Sequence, residues 1–357
     1  MNRKRYSSFP LALALALTLL SALGTRAFAQ EPATSSDPFS ALPEADLIIA
    51  LDAQRILRDA VPRILANDQK TLLQMNTGID GIKGLTGIDA RAVRRIVFAA
   101  RNLSPNMKPQ DFRGVVVVEG IDTEKLLGFA RAAAKGKFTE ETYGGSTVYT
   151  VTKASEPKLM FDVAAVALNP GMLALGTPEE LRASIDAFAG RGTRANPELV
   201  GSVSRHSSAL ISMGFNIPSS LIPAIAASGS SEGGTNEMIG KALSALKSFN
   251  AALGMTPAGY DMFVAARVES GEQAKSLSDM LAGLQKLALM EQPKTERDRM
   301  MMGLLKNVFI SSEGTEVQLK TEVSQVAINQ LIQSTKGTPP PTATKKPPVR
   351  RRARRRR

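Results

Sequence analysis

Apolar residues in this chain come in short runs bounded by polar or turn-forming residues, and that spacing limits the fold more than any other feature. Residues 47–51 (Leu-Ile-Ile-Ala-Leu), 96–100 (Ile-Val-Phe-Ala-Ala) and 115–118 (Val-Val-Val-Val) have the length of buried strands and are too short for amphipathic helices. Runs 163–168 and 172–175 flank Asn169-Pro170-Gly171. Proline fixes φ at the second turn position and glycine accepts positive φ at the third, which predicts a hairpin with a type II turn. Thr177-Pro178-Glu179-Glu180 follows at once, an N-cap hydroxyl, a proline at N1 and a glutamate at N3, predicting a helix to about residue 188. Ser270-Gly271-Glu272-Gln273 repeats the capping logic before a helix with Leu277, Leu281, Leu284 and Ala288 on one face. Residues 308–311 and 317–323, joined by Glu313-Gly314-Thr315, predict another hairpin, and 326–332 return to helical spacing.

Hairpins and capped helices in alternation indicate an α+β chain. The two halves echo each other. Ala45-Asp46-Leu47-Ile48 is matched by Ser208-Ala209-Leu210-Ile211, Pro62 by Pro223, and Phe98-Ala99-Ala100-Arg101 by Val264-Ala265-Ala266-Arg267. The expected architecture is two similar halves, 44–190 and 208–334, each an antiparallel or mixed sheet with helices packed against it. Gly190, Gly192 and Pro197 interrupt any regular pattern, so 191–207 reads as a connector. Prolines among Ser, Thr and Ala make 30–43 a linker, and 335–357 a disordered Pro/Arg-rich tail.

The stretch from Gly87 to Ala90 that leads into Val97-Phe98-Ala99-Ala100-Arg101, together with residues 272–279 (Glu-Gln-Ala-Lys-Ser-Leu-Ser-Asp), resembles exported bacterial proteins with a duplicated α+β body and no assigned activity. The resemblance covers roughly residues 44 to 334 and implies packing patterns, with no catalytic residues to carry over.

Export is expected from the N-terminus. Arg3, Lys4 and Arg5 precede an apolar stretch, residues 9–23, that is shorter than the roughly 20 residues a spanning helix needs. Ala27-Phe28-Ala29 then offers small residues at both positions a signal peptidase must accommodate, so 1–29 reads as a signal peptide and the mature chain as periplasmic or surface-located, with no transmembrane span. Cysteine is absent, which excludes disulfides and thiolate-bound metals.

The formal net charge of +12 is concentrated at the chain ends. Arg3, Lys4, Arg5 and Arg26 fall in the signal segment; Lys345, Lys346, Arg350, Arg351, Arg352, Arg354, Arg355, Arg356 and Arg357 fall in the tail. Taking those thirteen from +12 leaves −1 for residues 30–344. The basicity therefore belongs to a tail suited to an anionic envelope surface, lipid or cell-wall polymer, and non-specifically to nucleic acid.

Signatures of chemistry are weak. His206 stands alone in a polar run, where a surface linker position is expected, and Gly201-Ser202-Val203-Ser204 lacks the Gly-x-Ser-x-Gly elbow. Ser244-Ala245-Leu246-Lys247 has Ser-x-x-Lys spacing without its companion elements. Gly78, Gly81, Gly84 and Gly87 suggest a glycine-punctuated loop, and residues 234–241 miss a phosphate loop by one residue. Asp46, Asp52, Glu119, Asp122 and Asp162 sit near strand ends, where caps and solvated charges are the ordinary reading. Met300, Met301 and Met302 suit either a hydrophobic groove or a core contact. No catalytic residue, metal or cofactor is assigned. The leading expectation is an envelope-associated binding or scaffold protein, the alternatives a periplasmic hydrolase or a nucleic-acid binder acting through the tail.

Overall fold

A computed structural model describes residues 37–108, 111–134, 136–157, 159–224, 245–294 and 296–336. Residues 1–29 of the expected signal segment, residues 30–36 of the expected linker and the basic cluster 345–357 lie outside the described residues.

The elements run β1 (Leu47–Asp52), a helical segment α1 (53–64) with a π turn at Ile56–Ala60, α2 (Gln69–Thr86), β2 (Arg95–Arg101), β3 (Arg113–Glu119) and α3 (Thr123–Ala134). They continue with β4 (Thr139–Tyr143), β5 (Ser146–Val151), β6 (Val163–Asn169), β7 (Met172–Gly176), α4 (Pro178–Phe188) and α5 (Pro197–Ser204). The later part holds β8 (Ala209–Asn216), β9 (Ser248–Met255), β10 (Gly259–Arg267), α6 (Gly271–Met290), α7 (Glu296–Lys306), β11 (Phe309–Glu313), β12 (Glu316–Ser324) and α8 (Gln325–Lys336).

The twelve strands of the described residues form one antiparallel sheet in the order β11-β12-β10-β9-β8-β1-β2-β3-β7-β6-β5-β4. This replaces the expected separate sheet in each half. β1 and β8 are the first strands of the two chain regions, and they pair with each other, Leu47 opposite Phe215 and Leu51 opposite Ile211, so neither is left as an open apolar edge.

Alternation along the strands divides the core between two faces. On the first face Ile48, Val97, Val115, Val117, Val166 and Ala174 are buried under α4 and α5 through Leu181, Ile185, Leu199 and Val203. On the second, Leu126 of α3 meets Leu173 and Ile121, and Ala274 of α6 meets Val317 and Val268. Burying an aliphatic side chain of this size stabilises by about 1.5–3 kcal/mol, and the first face alone holds more than ten.

Several local expectations hold in position and change in detail. The β6–β7 hairpin forms, but Gly171 is not at positive φ; the Asn169 side chain accepts the Gly171 N–H at 2.9 Å and closes the turn itself. Residues 78–86 are helix, not loop. Asp68 caps α2 by accepting the Thr71 N–H at 3.1 Å, and Gly87 ends it at φ 72°, so the interior glycines, each costing about 1 kcal/mol against alanine, sit in a helix anchored at both ends. The connector contains α5, started by Pro197 at N1 and by Asn196, whose Oδ1 accepts the Glu198 N–H at 2.8 Å. Among the described residues, no helix is long and apolar enough to cross a membrane.

Candidate functional site

A recess lies where the β9–β10 turn, the end of β12 and the helices α7 and α8 meet, a groove of about 630 Å³. Its floor is built by hydrogen bonds between distant parts of the chain. Thr256 N–H donates to Gly259 O at 2.9 Å, closing the turn, and Gln325 N–H donates to Ala258 O at 3.1 Å. Arg63 of α1 reaches across the sheet, its Nη1 donating to Thr256 O at 2.6 Å and its Nη2 to Pro257 O at 2.7 Å. The same guanidinium lies 5.7 Å from the centre of the Tyr260 ring. Burial raises the pKa of the Tyr260 phenol, whose hydroxyl donates to Ala60 O at 3.4 Å. Gly259 is required here, since a Cβ would stand 2.1 Å from Val323 O.

The walls are two helices fixed at their ends. Gln285 of α6 donates to Leu305 O at 2.8 Å and Val308 O at 2.7 Å, holding the end of α7, and Ser324 Oγ accepts the Ala327 N–H at 3.2 Å, capping α8. Arg299 and Gly303 of α7 and Asn307 just past its end recur every four residues and so line one side of the groove with a cation, a gap and an amide. Leu304, Val323, Ala258 and Ala327 supply apolar surface, and Glu322 and Gln330 complete the rim. Thr256 Oγ1 accepts the Gly259 N–H at 3.1 Å and Ser324 Oγ is engaged as a cap, so both hydroxyls at the groove already do structural work. The arrangement suits binding a small molecule with an apolar body and an anionic or amide edge.

The residues singled out from sequence do not converge here. His206 is half-buried rather than a surface linker residue: its ring packs 4.4 Å from that of Phe263, and its buried Nε2 has no hydrogen-bond partner among the described residues, whereas a triad would engage it with a serine. Ser202 Oγ donates to Leu199 O at 2.8 Å. Ser244 and residues 234–241 lie outside the described residues; Lys247 pairs with Glu269 at 2.6 Å. Asp52 caps α1 through the Arg55 N–H, Glu119 pairs with Arg94 at 2.9 Å, Asp122 accepts the Lys125 N–H and pairs with its ammonium at 2.7 Å, and Asp162 accepts the Lys153 N–H at 2.7 Å. Asp46 joins the sheet margin through its backbone, its N–H donating to Ala100 O and its carbonyl accepting from Asn216. Among the described residues no three His, Asp or Glu gather at metal-holding distance.

The methionine run marked the right helix but the wrong positions. Met301 is 55% exposed, and α7 lines the groove through Arg299, Gly303 and Leu304 instead. Arg299 and Gly303 carry no signature of their own; their four-residue spacing was the one available sign.

No protein-family model matches the chain and no curated protein matches it. Among solved structures the chain is similar to TP0453 in its crystal forms I, III and IV, at 10, 12 and 13% identity and TM-scores of 0.42, 0.44 and 0.43. Each alignment covers 84% of this chain and 97–99% of TP0453.

Proposed function

We propose that the protein is an exported binding module of the bacterial envelope, holding a small ligand in the α7–α8 groove and an anionic surface through its basic tail. The observation that carries this reading is one of placement. α8 forms a wall of the groove and ends at Lys336, and nine residues later the chain begins a cluster of nine Lys and Arg at 345–357, whereas residues 30–344 carry a net charge of −1. Charge so segregated acts on a lipid or polymer surface without requiring anything of the fold, at about 1 kcal/mol per basic residue close to the surface.

The body on this reading is a diverged duplication, as in the exported proteins that the sequence resembles. Outward from the central β1–β8 pair, one side runs β1-β2-β3-β7-β6 and the other β8-β9-β10-β12-β11. That order supports common descent in a register pairing β2 with β9 and β3 with β10. On this reading the segment 98–101 corresponds to part of β9 and not to 264–267 of β10. Two features mark the divergence: the β4–β5 hairpin has α7 in its place, and α8 packs Ile328 on the second face whereas α4 covers the first.

Cell fractionation of an expressing bacterium tests the proposal. The intact protein is expected in the envelope fraction with a mass matching a chain that starts at Gln30, and a chain lacking 345–357 is expected to be released with the soluble periplasmic contents. Retention of Met1, or equal partition of both forms, overturns it.

A further inference from the structure

We propose a second ligand site, for a phosphate monoester, in the cavity at the N-terminus of α4, distinct from the α7–α8 groove. The cavity, about 450 Å³, is lined by Arg113 of β3, by Lys153, Met160, Phe161 and Asp162 of the β5–β6 connection, and by the start of α4 with Arg182 one turn on. Three independent observations identify what it takes.

The first is an orphaned hydroxyl. Thr177 occupies the N-cap of an eleven-residue helix and is 5% exposed, yet its Oγ1 makes no cap bond and has no hydrogen-bond partner. A hydroxyl in that position ordinarily accepts a first-turn N–H; here it stands unpartnered on a residue of the cavity wall, beside the first-turn N–H groups of the helix. These donors stand at the positive end of the helix dipole.

The second is the state of the charges. Both carboxylates on the cavity wall are already engaged. Glu179 Oε1 lies 3.2 Å from Arg101 and its Oε2 3.0 Å from Arg113, while Asp162 Oδ1 accepts the Lys153 N–H at 2.7 Å. Arg182 is held by Glu141 at 2.7 Å. The Lys153 ammonium makes no ion pair among the described residues, so the unsatisfied groups facing the cavity are donors and one cation. An oxyanion satisfies them; a metal cation does not.

The third is the remaining wall. Phe161 packs on Phe112 with ring centres 5.4 Å apart, and Phe112 stacks on Phe98 at 6.2 Å, while Met160 is 47% exposed. This apolar side suits the organic part of a phosphate ester, and the volume exceeds that of a bare phosphate.

Isothermal titration of the full chain with inorganic phosphate and with phenyl phosphate tests the site. Phenyl phosphate is expected to bind more tightly than inorganic phosphate. Thr177→Val and Lys153→Gln are each expected to weaken phenyl phosphate by about tenfold or more, the scale of one hydrogen bond or ion contact to a charged group. Thr177→Val is expected not to lower the melting temperature, because the hydroxyl it removes bonds to nothing, and Lys153 is exposed, so neither variant should fail to fold. Vesicles of phosphatidic acid, added at a salt concentration that screens the tail, distinguish the source: displacement of phenyl phosphate assigns the phosphate to a lipid headgroup, and no displacement assigns it to a soluble ester. Absence of saturable binding, or binding untouched by both substitutions, overturns the proposal, as does a fall in melting temperature for Thr177→Val, which would show the hydroxyl to be a cap.

Discussion

Arg101 Nη2 lies 2.6 Å from Oε1 of Glu180, a carboxylate only 2% exposed, and this contact ties β2 to the first turn of α4 across 79 residues of chain. Nε of the same guanidinium donates to the same oxygen at 2.7 Å, and this bonding raises the pKa of Arg101. Arg101→Met is expected to cost about 2–3 kcal/mol, at or below the low end of the range for breaking a buried pair because the arginine is partly exposed. The double variant Arg101→Met, Glu180→Leu is expected to regain most of that loss, since no buried charge is left unpaired. Urea denaturation of the single and double variants measures the difference; an additive double variant would mean that the contact carries no coupling.

His206 makes stability depend on pH. Burial first, then Arg205, lower its pKa from the ordinary 6.5; Asp261 opposes them, and Lys320 adds a smaller lowering. The folded chain therefore binds its proton less readily than the unfolded chain. Stability is full above pH 6.5 and declines as pH falls from there through the lowered folded value. His206→Gln is expected to flatten that decline without changing the profile above neutrality. Denaturation at a series of pH values from 8 to 5 checks it, and parallel profiles for the two proteins would remove His206 as the cause.

Strand and helix positions were readable wherever local chemistry decides them. Pro178 after Thr177 starts α4 and Ser270 starts α6, its Oγ accepting the Gln273 N–H at 3.2 Å, because turns and caps depend on a few adjacent side chains. What failed was the choice between equally apolar partners. Residues 98–101 and 264–267 differ only in Phe98 against Val264 but lie in β2, beside the central pair, and β10, one strand further out. Valine and alanine strands carry no label for their neighbour. The groove was illegible for a related reason, being assembled from Thr256, Arg299, Glu322 and Gln330, which share no spacing along the chain. Gly81 misled in the opposite way, as a residue that favours loops but sits inside a helix stabilised elsewhere.

Glycine-to-alanine substitutions at two positions are expected to differ in sign. At Gly259 the new Cβ meets Val323 O at 2.1 Å within the β10–β12 pair, forcing a backbone shift that costs about 1–3 kcal/mol. At Gly81, inside α2, nothing stands within 4 Å, so alanine should stabilise by about 0.5–1 kcal/mol through lower entropy of the unfolded chain. Thermal melts of the two variants against the parent decide it, and a loss at Gly81 would show that α2 is covered by a surface closer than the helix itself reveals.

Removal of residues 345–357 separates the tail from the body. With −1 on residues 30–344, the body has little net field to relieve, so unfolding free energy should change by less than about 0.5 kcal/mol. Affinity for anionic vesicles should instead be mostly lost. Because these contacts act by counterion release and are screened within about 10 Å at 0.1 M salt, binding by the intact chain should weaken steeply between low and physiological salt, and duplex DNA should show the same slope without sequence preference. Replacing the seven tail arginines by lysine should preserve most of the binding, since a diffuse surface responds to charge more than to bidentate geometry. Co-sedimentation across a salt series measures all three. Equal and salt-insensitive binding by the intact and truncated chains would place the surface contact in the folded body, where Arg299 at the groove rim and Lys153 beside α4 would be the first residues to substitute.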